Sequence, residues 1–178
     1  MGRNPGLRKA DRELLAEGYR QINLKIAGAG LALHRYWGYG EKRIKQMMDT
    51  TLRGWNECAV DDTASMLTML EKETGIELRI PGEKSFHDLV YLNGTPREKM
   101  SDMQIIYMRQ KQKKWMGTAI LASVMLSMHR EYGFGADRDT QLMQQIADIE
   151  QEYGGSGNRV AEALKAEAGV EFTQKGAA

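Results

Sequence analysis

One cysteine, three prolines and three phenylalanines are all that this 178-residue chain holds of those residue types. With Cys58 alone, an internal disulfide and a multi-cysteine zinc site are ruled out, as suits a reducing compartment. Its place where a turn enters a helix favours a structural role over that of a catalytic thiol. No run of about 18 apolar residues occurs, and Met1-Gly2-Arg3-Asn4-Pro5 lacks the apolar segment of a signal peptide. A soluble, cytoplasmic protein with no membrane partner is expected. The net charge of +1 excludes a uniformly basic nucleic-acid binder and leaves only local patches, of which Lys42, Arg43 and Lys45 form one and Arg109, Lys111, Lys113 and Lys114 another.

What the chain does have is repetition. Leu33-His34-Arg35-Tyr36-Trp37-Gly38-Tyr39-Gly40 returns as Met128-His129-Arg130-Glu131-Tyr132-Gly133-Phe134-Gly135 at an offset of 95, and Leu70-Glu71-Lys72-Glu73-Thr74-Gly75-Ile76 returns as Leu164-Lys165-Ala166-Glu167-Ala168-Gly169-Val170 at an offset of 94. The chain reads as a tandem duplication of one helical unit. Asn4-Pro5 is an N-cap with proline in the first turn, and Leu15, Tyr19, Ile22, Ile26, Ala29, Leu33 and Trp37 advance by three or four residues along one long helix. Thr95-Pro96-Arg97-Glu98 has the form of a capping box for the second long helix.

Each long helix stops at a glycine, Gly38 or Gly133, and another begins after Gly40 or Gly135. Ile44, Met47, Met48, Leu52 and Trp55 line the second helix of the first unit; Leu142, Met143, Ile146 and Ile149 line its counterpart. A third helix follows in each, capped by Asp61 or Asp62 and by Ser156 or Asn158, and ends at Gly75 and Gly169. Ala27-Gly28-Ala29-Gly30 sacrifices about 1 kcal/mol of helix propensity per glycine, which predicts close approach to the small surface of Gly117, Ala119, Ala122 and Ser123. The alternation of Ile76, Leu78 and Ile80 before Pro81-Gly82, with Val170-Glu171-Phe172, admits a small two-stranded β patch. The expected fold is therefore mainly α: two copies of a long helix, a Gly-aromatic-Gly hairpin and two shorter helices. The first repeat covers residues 5–80, a linker 81–94, the second repeat 95–172 and a disordered tail 173–178.

Tyr39 and Phe134 each lie between two glycines at a helix joint, a pattern like that of the helix-hairpin-helix DNA-binding module, whose glycines let backbone amides reach a phosphate. Only the first copy, with Gly38, Tyr39, Gly40, Lys42, Arg43 and Lys45, has the cations for that contact; the second places Asp137 and Asp139 there beside Arg138. A plainer reading takes precedence: glycines cap, and Tyr39 or Phe134 plugs the core. The run Arg109 to Lys114 with Trp115 offers a helical track for a phosphate backbone with an aromatic to stack on a base. His34 and His129 are equivalent, but neither has a second histidine at metal-binding spacing, so structural hydrogen bonding is preferred to metal hydrolysis. No catalytic residue, metal site or cofactor is indicated.

The pattern Leu33-His34-x-x-Trp37-Gly38-Tyr39-Gly40-x-Lys42-Arg43, continuing to Glu71-x-Glu73-Thr74-Gly75-Ile76-Glu77-Leu78, resembles small accessory proteins encoded by phages and prophages of Firmicutes, especially gut Clostridia. Those look like single units that self-associate, so the resemblance implies that this chain builds internally what others build as dimers, with homodimerisation of the doubled chain open. It also implies a non-enzymatic protein that binds and inhibits a host nucleic-acid machine, most concretely an anti-CRISPR inhibitor of a Cas9-type effector. The alternative is a DNA-backbone-binding protein using the Gly38-Tyr39-Gly40 hairpin and its neighbouring cations.

Overall fold

Asn4 accepts a hydrogen bond from the Gly6 amide through its side chain and Pro5 takes the first helical position, so the first helix starts where the sequence places it. In the computed structural model, which describes residues 4–57, 63–80, 82 and 99–172, six α-helices follow in the order α1 (Pro5–Trp37), α2 (Glu41–Glu57), α3 (Thr63–Thr74), α4 (Asp102–Tyr132), α5 (Ala136–Glu152) and α6 (Gly157–Ala168). Their lengths, 33, 17 and 12 residues and then 31, 17 and 12, run long, medium, short twice over. The protein is mainly helical.

The second long helix starts later than the Thr95-Pro96 signal suggests. Ser101 accepts from the Gln104 amide while the Gln104 side chain accepts from the Ser101 amide, a complete capping box eight residues before the Arg109 to Lys114 run begins. Thr95 to Glu98 lie outside the described residues, as do Cys58, the Asp61 and Asp62 caps, linker residues 81 and 83–94, and the tail 173–178. The third helix of the second half is capped by Ser156, whose hydroxyl accepts from the Arg159 amide. Gly75 and Gly169 end α3 and α6 in the left-handed conformation, at φ 75° and 70°.

No strand forms among the described residues, so the β patch expected at 76–80 and 170–172 is absent there. Its physical reason is that each segment leaves a different short helix and lays its apolar side chains on the core: Val170 and Phe172 are buried, and Ile76 and Leu78 pack partly against the same cluster.

α1 and α4 run side by side and parallel. Asn4 donates to Asp102 at 3.0 Å, Arg109 to Asp11 at 3.0 Å and Lys113 pairs with Glu13 at 3.4 Å, while the Gln21 side chain lies against Gly117, so contacts climb both helices in the same direction. Over their C-terminal halves both helices are enclosed by the shorter ones. Residues 26–33 of α1 and 122–128 of α4 are all buried, leaving no polar face, as befits central helices. Toward the N-terminus the apolar stripe is shifted by one residue from its expected path: Leu7, Ala10 and Leu14 are buried and Leu15 is 50% exposed.

The glycines serve side chains, not a crossing of the two long helices. A methyl at Gly30 would meet Met48 at 2.7 Å and Ile44 at 3.0 Å, and one at Gly28 would touch Ile146 of α5 at 3.5 Å. Among the helical glycines it is Gly157 that faces another helix's backbone: a methyl there would lie 3.0 Å from the Leu24 amide nitrogen and 3.3 Å from the Arg20 carbonyl, so the start of α6 is pressed on the middle of α1. Glycine here is a packing requirement.

Each long helix packs more extensively on the short helices of the other half than on its own. Arg35 binds Glu167 at 2.6 Å, and at the positions equivalent by sequence Arg130 binds Glu73 at 2.5 Å. One apolar cluster, with Ile26, Leu33, Ile44, Leu70, Ile120, Met128, Leu142 and Leu164 fully buried, draws on all six helices. The two halves of the chain therefore share one main core instead of closing two.

Candidate interaction site at the glycine hairpins

At both hairpins the turn is built the same way. Gly38 and Gly133 take φ of 66° and 64°, conformations that a side-chain-bearing residue rarely adopts. The Tyr39 amide then donates to the Leu33 carbonyl at 3.0 Å and the Phe134 amide to the Met128 carbonyl at 3.2 Å. His34 Nδ1 lies 3.0 Å from the Tyr39 carbonyl oxygen and His129 Nδ1 2.7 Å from that of Phe134. A carbonyl can only accept, so Nδ1 carries the proton and donates in each ring, which fixes the tautomer. The histidines are turn closures, one for each hairpin.

That geometry bears directly on phosphate binding. The amides of Gly38 and Tyr39 are turned inward to cap α1 and are spent on the Leu33 carbonyl, so these two do not form an outward cradle of the helix-hairpin-helix kind. The aromatic residues likewise belong to the packing. Trp37 and Phe134 stack at 4.9 Å between centroids, and Tyr39 and Tyr132, their sequence equivalents in exchanged halves, at 5.8 Å. Trp37 Nε1 donates to Gln145 and the Tyr132 hydroxyl to the Arg43 carbonyl, joining each hairpin to the other half.

The cations beside the first hairpin remain on the surface. Lys42, Arg43 and Lys45 are all exposed on the first turns of α2. Arg43 lies 5.0 Å above the Tyr39 ring, which fixes its direction. Lys45 pairs with Glu41 one turn earlier, an exposed contact worth little, so its charge stays largely open to a partner. With Gln46, Asp49, Arg53 and Glu131, Lys42 and Lys45 border a surface recess of 700 Å³.

The second predicted patch is dispersed. Arg109 is buried and donates to Asp11 at 3.0 Å and Gln112 at 2.8 Å; Lys113 pairs with Glu13; Lys111 sits 5.6 Å over the Tyr107 ring; and Lys114 has interactions of its own. Trp115, 1% exposed, packs with Met108 and cannot stack on a base. The run that looks like a phosphate track thus joins α4 to the acidic residues of α1.

Asp139 is the residue whose importance was missed. It is fully buried, neither carboxylate oxygen has a hydrogen-bond partner, and burial pushes its pKa up to about 6, with the nearby His129 pulling the other way. The signal was present, since the offset of 95 sets Asp139 opposite Ile44, a fully buried core residue. Elsewhere the Arg130 guanidinium holds Glu73 below the usual carboxylate range, and Arg35 does the same for Glu167 and Glu152.

Among the described residues no group of three or more His, Cys, Asp and Glu is arranged to hold a metal, and no helix is long and apolar enough to cross a membrane. Comparison of the chain with family models, curated proteins and solved structures finds no match.

Proposed function

We propose that this chain is a tandemly duplicated, non-enzymatic binding protein of phage origin, an internal counterpart of a homodimer, that inhibits a host nucleic-acid machine such as a Cas9-type CRISPR effector. The duplication is supported by the reciprocal contacts: in a two-fold pair, a residue of one unit meets a second position of its partner and the exchanged contact recurs, as Arg35–Glu167 with Arg130–Glu73 and Trp37–Phe134 with Tyr132–Tyr39 do. The observation that carries the binding role is the exposed Lys42, Arg43 and Lys45 group on α2, set on a rigid junction. An exposed cationic face is complementary to an anionic one, here the phosphate backbone carried by such a machine or an acidic patch on its surface.

The test is reconstituted cleavage of a DNA target by a purified Cas9-type effector, with wild-type protein and the Lys42→Glu/Arg43→Glu/Lys45→Glu variant. Inhibition by the wild type, reduced at least tenfold in the variant, is expected. Cleavage that continues at large excess of wild-type protein removes this effector as the partner.

A second reading, direct binding of a DNA backbone, is favoured by the same cations. It predicts affinity that falls steeply with salt, each neutralised phosphate adding about 0.9 to the slope of log K against log salt. Titration of labelled duplex at low and physiological salt separates the two, since absence of salt-dependent binding leaves a protein surface as the target.

A further inference from the structure

We propose that the cavity bounded by the N-terminal half of α1, the end of α2 and α4 is a binding site for a neutral, largely apolar small molecule. Its volume, 490 Å³, falls within the range of about 300–1,000 Å³ usual for small-ligand sites. Leu15, Tyr19, Leu52, Trp55 and Met116 supply most of the wall.

The other half of the molecule serves as an internal control on that lining. At an offset of 95, Leu14, Leu15, Gly18 and Tyr19 correspond to Arg109, Gln110, Lys113 and Lys114, and Leu52 and Trp55 to Ala147 and Glu150. Helices of the same order and similar length carry five polar residues and an alanine at those positions, so pairing of a long helix with its neighbours does not require large apolar ones. Leu15 nevertheless stands 50% exposed at the cavity, an arrangement that costs free energy in proportion to the apolar area left in water.

Gly18 points the same way. It sits inside α1, where glycine costs about 1 kcal/mol relative to alanine, yet a methyl there would find only Met116 atoms at 3.9 Å, an ordinary contact. Packing does not demand the glycine, whereas an open cavity floor does.

The ligand's charge follows from the polar part of the wall. Arg109 and Asp11 both line the cavity and neutralise each other at 3.0 Å, with Gln112 accepting a further bond from the guanidinium. No net charge is left to select an anion or a cation. Asn56 and Tyr19, both lining residues, carry hydrogen-bonding groups for one or two polar atoms of an otherwise apolar molecule.

N-Phenyl-1-naphthylamine, a neutral fluorophore of suitable size, is the probe. Titrated into the full chain, it is expected to bind saturably at one site, with energy transfer from tryptophan reduced in Trp55→Phe because that indole lines the cavity, Trp37 and Trp115 supplying the remainder. Gly18→Leu fills the floor while improving helix propensity and is expected to weaken binding at least tenfold with helicity and Tm retained. Leu15→Gln, which installs the equivalent residue of the other half at a half-exposed position, serves if Gly18→Leu fails to fold, and is expected to weaken binding severalfold. Absence of saturable binding overturns the proposal, as does binding unaltered in a folded Gly18→Leu or Leu15→Gln variant. Sedimentation showing a dimer that dissociates in Leu15→Gln also overturns it, by assigning the cavity to contact between copies.

Discussion

His34 closes its turn on the Tyr39 carbonyl and His129 closes its own on that of Phe134, but ten residues beyond each histidine the first junction buries Ile44 and the second buries Asp139. The surfaces differ as well: Lys42, Arg43 and Lys45 on the first correspond to Asp137, Arg138 and Thr140 on the second. Local chemistry that sets the backbone is the same in both, since a left-handed glycine and a histidine-to-carbonyl bond are what the turn needs. Chemistry that does not set the backbone differs, including one core position where one junction has a hydrocarbon and the other a carboxylate. The halves are alike as scaffolds and different as surfaces.

Exchanging the core residue tests this most severely. Ile44→Asp places an unpaired carboxylate beside Gly30 and Met48, and unfolding by urea at pH 7.5 is expected to show a loss of about 4 kcal/mol, combining lost apolar burial with charge desolvation. A loss below about 1 kcal/mol would mean that the first junction hydrates as readily as any surface site.

The reverse exchange, Asp139→Leu, is expected to stabilise. The folded pKa of Asp139 is raised from 3.8 to about 6, so the folded state holds its proton more tightly than the unfolded one. The destabilising contribution is absent below about pH 4, grows between pH 4 and 6, and is complete above, where a shift of this size corresponds to about 3 kcal/mol. Urea midpoints taken from pH 4 to 8 should show the advantage of Asp139→Leu over the wild type growing between pH 4 and 6 and staying level above. The depressed carboxylates Glu73 and Glu167 act in the opposite sense. Their stabilisation is present above the unfolded pKa, near 4.3, and disappears as pH falls through the lower folded values. Greatest stability is therefore expected around pH 4.5–5.5, and a maximum above pH 7 would contradict the charge state assigned to Asp139.

The smallest effect separates the two reciprocal ion pairs. Arg35 holds Glu167, Glu152 and the Tyr153 hydroxyl, while Arg130 holds Glu73 and touches the Met69 sulfur. Both are partly exposed, so Arg35→Ala is expected to cost about 1 kcal/mol and Arg130→Ala less. Thermal melts at low and high salt should show the Arg35 difference shrinking with salt; equal losses would remove the distinction.

Much of this arrangement was legible in the residues themselves. Caps at Asn4 and Ser156, glycine stops at Gly38, Gly75, Gly133 and Gly169, and the buried positions Ile44, Met47, Leu142 and Ile146 all follow from local rules of sequence order and period. The site was read less well. Arg109, Lys113 and Trp115 carry no local sign of being engaged by Asp11, by Glu13 and by the Met108 cluster, because those partners lie about 100 residues away or on another element. The glycines of α1 were read as a meeting of backbones, although Met48, Ile44 and Ile146 fill the space. A glycine signals room without saying what enters it.

Helix type, the glycine-stopped helix ends and the recurrence at an offset of 95 were legible in the sequence alone, because left-handed glycines and a 3.6-residue apolar period act between residues close in the chain. Tertiary structure decided that the two long helices run parallel, that each is enclosed by the other half's short helices, and that one cation cluster stays in water while Arg109 and Lys113 of the other pair with Asp11 and Glu13. Those outcomes depend on which surfaces of distant segments bury each other, and burial is a property of the pair of surfaces, written in neither segment by itself.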